Sequence, residues 1–193
     1  MATSPASPDR PPIQQLRTVA ALLETPALAR LYVHVVRHGP ITVSAIVDEL
    51  AVPQGTAYDY VSRLEAAGLV HRVRDTRPYE YEANRVSLRL GVDDDTRTIT
   101  PAFIAAAARR AEDEDVDVFV DRHGLDGLAA ALEYAFEYVD GTVSHRIAAR
   151  ELDVSPLEAE VILQALEPIA AEYADDTGDA DDVDDTDGVD GEE

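Results

Sequence analysis

Residues 41–86, ITVSAIVDELAVPQGTAYDYVSRLEAAGLVHRVRDTRPYEYEANRV, constrain the fold more than any other stretch of this chain. They read as a short amphipathic helix, a tight break, a longer amphipathic helix and an arginine-bearing hairpin. Thr42 is a natural N-cap for a helix over Val43–Leu50, with Ile46, Val47 and Leu50 turned inward. Ala51 to Gly55 forms the break. Pro53 cannot continue a helix interior, and Gly55 gives the backbone freedom to redirect. The second helix runs from about Thr56 to Ala67. Its Ala57, Val61 and Leu64 recur at i, i+4 and i+7, and Gly68 closes it in a left-handed cap. Leu69–Arg74 and Tyr79–Ala83 then alternate as two strands around the turn residues Asp75, Thr76, Arg77 and Pro78.

The flanking sequence completes the layout. Ile13, Leu16, Val19, Ala20 and Leu23 recur at helical spacing. Thr25 and Pro26 start a helix that runs to His38 and stops at Gly39-Pro40. Its stripe of Leu28, Leu31, Tyr32, Val35 and Val36 supplies the third side of a three-helix core. The predicted fold is mainly α with a small β-wing. A winged helix-turn-helix domain over 13–90 is followed by an all-α C-terminal domain over 100–173. A Pro/Ser-rich disordered arm (1–12), a charged linker (91–99) and an acidic disordered tail (174–193) complete the chain.

In the C-terminal domain, Val116, Phe119, Val120 and His123 fit a helix ended by Gly124, and Leu125–Val139 a long one. A final pair spans Thr142–Leu152 and Pro156–Tyr173, with Ser155-Pro156-Leu157-Glu158 as a capping box. That pair echoes the first: Glu151-Leu152-Asp153-Val154 matches Glu49-Leu50-Ala51-Val52, and Leu166 matches Leu64. It reads either as a second helix-turn-helix or as two packed helices sharing an apolar period. Glu158, Glu160, Glu167 and Glu172, with no arginine beside them, favour packing.

Charge is distributed unevenly. The 193 residues carry 39 acids against 16 basic groups, all arginine, for a net charge of −23. Residues 26–90 nevertheless hold eight arginines against seven acids, whereas 91–173 hold nineteen acids against six arginines and 174–193 hold eleven acids and no base. The helix-turn-helix is thus nearly neutral in a strongly acidic chain. Acid-rich, lysine-free composition resembles that of extremely halophilic archaea; molar salt shortens the Debye length to about 3 Å and screens self-repulsion. With no cysteine, disulfides, thiolate metal sites and thiol redox chemistry are excluded. No stretch approaches the ~20 apolar residues of a membrane span, and the N-terminus has no secretory h-region, so a cytoplasmic location is expected.

The exposed side of the second helix defines the candidate contact set. With Ala57, Val61 and Leu64 buried, Gln54, Gly55, Thr56, Asp59, Ser62 and Arg63 face outward, and Tyr58 lies at the edge. Such a helix enters a major groove by its N-terminal end. Gln54 suits a bidentate contact to adenine, Arg63 a guanine or phosphate, and Thr56 and Ser62 phosphates or either base type. Asp59 would accept from a cytosine amine or orient Arg63 four residues on. In the hairpin, Arg72, Arg74 and Arg77 are placed for a minor groove or phosphates. The alternatives are solvated polar positions on an ordinary helix, and hairpin arginines paired with Glu80 and Glu82. His34 and His38, four apart on one helix, lack a third ligand, so no metal and no cofactor is expected. The absence of a P-loop, a dinucleotide glycine motif and a nucleophile elbow argues against an enzyme.

Thr56-Ala57-Tyr58-Asp59-Tyr60-Val61-Ser62-Arg63-Leu64-Glu65-Ala66-Ala67-Gly68-Leu69-Val70 resembles the recognition helix and wing start of archaeal winged helix-turn-helix regulators of the TrmB-like, ArsR-like and MarR-like groups, in haloarchaeal form. The likeness covers about residues 26–90. It implies a sequence-specific transcriptional regulator of double-stranded DNA, working as a homodimer. The metal-sensing cysteines of the ArsR-like group are absent, and no sugar-binding domain of the larger TrmB-like proteins is recognisable. The effector is unknown. A winged-helix module that binds proteins and never touches bases is the alternative.

Overall fold

Hydroxyl caps and first-turn prolines set where the helices begin. Thr42, Thr100 and Ser155 accept hydrogen bonds from the backbone N–H groups of Ala45, Phe103 and Glu158, at 3.2, 3.1 and 3.1 Å. Pro26, Pro101 and Pro156 occupy first helical positions, where a missing N–H costs nothing. The computed structural model describes residues 12–86, 88–92 and 95–174. Chain order is α1 (Pro12–Glu24), α2 (Pro26–His38), β1 (Ile41–Thr42), α3 (Val43–Leu50), α4 (Gln54–Ala67), β2 (Val70–Arg72), β3 (Glu80–Ala83), β4 (Leu88–Val92), β5 (Asp95–Ile99), α5 (Pro101–Arg109), α6 (Glu114–Val139), α7 (His145–Glu151) and α8 (Pro156–Glu172). The arm over 1–11, Asp93, Asp94 and the tail over 175–193 lie outside the described residues.

The fold is mostly helical, a winged helix followed by an all-α C-terminal region. Helices α2, α3 and α4 enclose Leu28, Leu31, Tyr32, Val35, Ile46, Val61 and Leu64, all buried. Each such side chain contributes roughly 1.5–3 kcal/mol by leaving water. The small sheet has the order β1-β3-β2, all antiparallel, with Ile41 opposite Tyr81 and Arg72 opposite the same Tyr81 on the other side. Buried Leu69 and Val70 bind the wing to the helices. The Tyr32 hydroxyl donates to the Asn84 carbonyl at 2.7 Å, and the Asn84 side chain donates to the Gly68 carbonyl at 2.7 Å. Gly68 itself is left-handed (φ 76°), as the end of α4 requires before the chain reverses into β2.

Two elements differ from the sequence reading. The hinge between α3 and α4 is Ala51, in the left-handed conformation at φ 53° and ψ 37°. Gly55 is not the hinge: α4 starts at Gln54, so Gly55 lies in its first turn. The reversal is completed at Ala51, and Pro53, fixed at φ −56°, sits at the N-cap where its ring does no harm. Secondly, residues assigned to a charged linker over 91–99 form part of an antiparallel hairpin, β4 with β5, in which Leu88 opposes Ile99. Alternating Leu88 and Leu90 and β-branched Thr96, Thr98 and Ile99 favour strands; the aspartate run hides that signal.

The C-terminal region packs through α5 onto α1 and α2, and through α6 onto α8. Helix α6 breaks at Gly124 (φ 71°, ψ −175°), the residue at which the sequence separates two helices. The α7–α8 pair repeats α3–α4 at an offset of 102 residues. Asp153 is left-handed at φ 54°, the counterpart of Ala51, and buried Ala159, Leu163 and Leu166 correspond to Ala57, Val61 and Leu64. The turn is therefore that of a helix-turn-helix. Its leading end is used for packing: Glu158, at the position of Thr56, accepts from His123 (3.0 Å) and Arg122 (3.4 Å) of α6. The Glu158 side chain does not return to cap Ser155, so only half of the expected capping box forms.

Candidate nucleic-acid interface

Burial of Ala57, Val61, Leu64 and Ala67 against the three-helix core fixes the roll of α4. Gln54, Gly55, Tyr58, Asp59, Ser62 and Arg63 are consequently exposed, and Thr56 is half-buried. Helices α1, α2 and α3 and strand β2 account for the main packing of α4; the C-terminal region packs through α5 on α1 and α2. Gln54, Tyr58, Ser62 and Glu65 form a strip at helical spacing on the side toward the wing.

Between that strip, the start of α3 and the wing lies a groove of about 660 Å³. Thr42, Ser44, Tyr58, Arg77, Pro78 and Tyr79 line it. Tyr58, 53% exposed, presents its ring to that groove. The groove thus combines a helix start, hydroxyls, rings and a cation on one concave surface. That combination suits a sugar-phosphate strand: hydroxyls and cations meet phosphate oxygens, and the rings meet sugar or base faces.

The wing arginines are not equivalent. Arg72 makes a bidentate pair with Glu65 of α4, at 2.9 and 3.0 Å, and its guanidinium lies 4.8 Å from the Tyr79 ring centre and 5.9 Å from that of Tyr81. It therefore braces the wing against α4. Arg74 pairs with Glu80 across the hairpin at 3.3 Å. Arg77 lies 5.9 Å from the Tyr79 ring centre and has no carboxylate partner among the described residues. Arg63 likewise has none, and the expected Asp59–Arg63 ion pair is not formed. Of the four cations assigned to the surface, two are held by acids and two are unopposed.

Sequence reasoning missed Glu65 as the clamp on Arg72, Tyr79 as the platform shared by two arginines, and Ser44 at the groove edge. The Tyr79-Glu80-Tyr81 alternation carried part of that signal, because alternate residues of a strand share a face. The rings of His34 and His38 meet at a 40° tilt with centroids 4.5 Å apart, and Glu49 of α3 lies 2.9 Å from His34 Nε2. These histidines join α2 to α3 and stand apart from the groove.

A three-helix core with an open polar helix beside a β-hairpin defines a winged-helix module. Residues 26–87 match the family described as "Sugar-specific transcriptional regulator TrmB", a winged-helix regulator family. This likeness supports a DNA-binding transcriptional regulator in general terms. Residues 110–175 match a family of unknown function, DUF7437. No curated protein and no solved structure matches the chain.

Proposed function

We propose that this protein is a sequence-specific, DNA-binding transcriptional regulator that places α4 in a major groove and its wing on the adjacent backbone or minor groove. One observation carries the reading: the polar side of α4 is open beside the wing, with Arg63 and Arg77 unopposed by any carboxylate among the described residues. Gln54, Gly55, Thr56, Tyr58, Asp59, Ser62 and Arg63 form the base-reading set. Arg77 approaches the backbone first, and Arg72 and Arg74 do so only by leaving their acids. The protein acts as a homodimer on two half-sites about one helical turn apart. Exposed apolar side chains on α1 (Leu16) and on the C-terminal helices (Val118, Ile147, Leu157) supply surface for the second copy. The role is regulatory rather than enzymatic, in the cytoplasm of a salt-adapted archaeon, consistent with an acid-rich, lysine-free composition. No single described helix is long and apolar enough to cross a membrane.

Selection of bound fragments from a genomic library, with wild type, Arg63→Ala and Arg77→Ala side by side, tests the reading. Retention by wild type and at least tenfold weaker retention by each variant is the expected result. Failure of wild type to retain any fragment at any salt concentration would favour a winged-helix module for protein contacts. Exposed Asp59 and the acid-held Arg72 and Arg74 are the features that favour that second reading.

A further inference from the structure

The junction of α2, α5 and α8 encloses a cleft of about 230 Å³ that the DNA-facing side does not use. Arg30, Arg37 and Arg109 line it together with His34, Glu112 and Glu172. Three guanidinium groups thus gather on one cleft wall with the carboxylates of Glu112 and Glu172, and Asp113 stands beside Arg109. The pairing is uneven. Arg37 holds Glu172 with two hydrogen bonds, one of them 2.8 Å. Arg30 holds Glu112 at 2.6 Å and also donates to the Leu50 carbonyl at 3.1 Å.

Arg109 is left short. Its nearest acids, Glu112 and Asp113, stand at 3.8 and 3.6 Å, beyond hydrogen-bond distance. Its Nε is sealed from solvent and has no hydrogen-bond partner among the described residues. That atom is out of a ligand's reach, but the Arg109 side chain as a whole is 36% exposed, so its guanidinium remains open to an incoming oxyanion. Val33, Ala105, Ala108 and Ile169 form the remaining wall, so a short apolar body fits beside the charged head. The volume is below the usual range for drug-sized ligands and suits a molecule of a few carbons.

We propose that this cleft binds a small organic anion, whose carboxylate or phosphate head is held by Arg109 and Arg30 and whose short aliphatic body lies on the alanine face of α5. The site stands independently of the DNA-binding reading, although Arg30 touches both the cleft and the end of α3.

Thermal unfolding of the full chain with isovalerate, succinate or inorganic phosphate, each against chloride of equal ionic strength, tests the proposal. Saturable rises in Tm of roughly 2–4 °C are expected with at least one probe. Isovalerate or succinate acting alone identifies a carboxylate head, and phosphate acting alone a phosphate head. Arg109→Gln and the cleft-filling Ala108→Leu should each abolish the rise, whereas Arg150→Gln, remote from the cleft, should keep it. On wild type, amide chemical shifts induced by the active probe should cluster at residues 30–37, 105–112 and 168–172. The proposal is overturned if no probe gives a saturable rise, if the rise survives both cleft variants, or if the shifts cluster elsewhere.

Discussion

At Gly39 the end of α2 meets β3 with no room for a side chain. A Cβ there would lie 2.7 Å from the Val35 carbonyl oxygen and 3.3 Å from that of Tyr81. Both neighbours are backbone and cannot swing aside. Gly39→Ala should therefore cost about 1–3 kcal/mol in urea unfolding. Gly55 provides the contrast, since a Cβ there meets nothing within 4 Å and the residue lies in a helix. Gly55→Ala should stabilise by about 0.5–1 kcal/mol and, on the proposed reading, weaken DNA retention by standing between the start of α4 and the duplex. His34 offers a pH test. Burial lowers its pKa first and the neighbouring His38 adds to that, against the pull of Glu49. A histidine whose folded pKa lies below its unfolded value binds fewer protons when folded. Its contribution is complete above the unfolded value of about 6.5 and is lost as pH falls through the folded pKa. Melting temperatures from pH 8 to 5 should drop more for wild type than for His34→Gln, and parallel curves would remove His34 from the account.

Among the elements, the α4–wing pair carries the sharpest expectation. Glu65 holds Arg72 by two hydrogen bonds and adds a negative charge beside the proposed phosphate path. Glu65→Gln should release that arginine and raise DNA affinity about three- to tenfold, measured by fluorescence anisotropy on a selected fragment. A decrease would mean that the brace matters more than the freed charge. The helices were legible in the sequence because apolar spacing, prolines and caps are local signals, as at Thr42, Pro101 and Gly68. Composition points to Pro53 and Gly55 within the Ala51–Gly55 break, whereas the left-handed residue is Ala51, which carries no local signal for that conformation. Nor could spacing reveal that Arg72 reaches back to Glu65 while Arg63 ignores Asp59. Those choices depend on how the wing folds over α4, and ion-pair partners are set by that three-dimensional placement.

For the whole molecule, charge distribution governs how binding responds to salt. A dimer with Arg63 and Arg77 free on each protomer would neutralise about four phosphates, giving a slope of log affinity against log salt of roughly −4 or shallower. A slope steeper than about −6 in a salt titration would mean that Arg72 and Arg74 also leave their acids. The same balance decides what joins the two halves. Arg30–Glu112 and Arg37–Glu172 bridge them, but both pairs are partly exposed and weaken in concentrated salt. The seam that remains is α5 against α1 and α2, and Ala105, Ala106, Ala107 and Ala108 of α5 are all buried. Methyl groups let that helix approach its neighbours closely. Mechanically, such a joint behaves as a weld rather than a bearing: tilting the reading head on a duplex would swing the distant lobe with it as one lever.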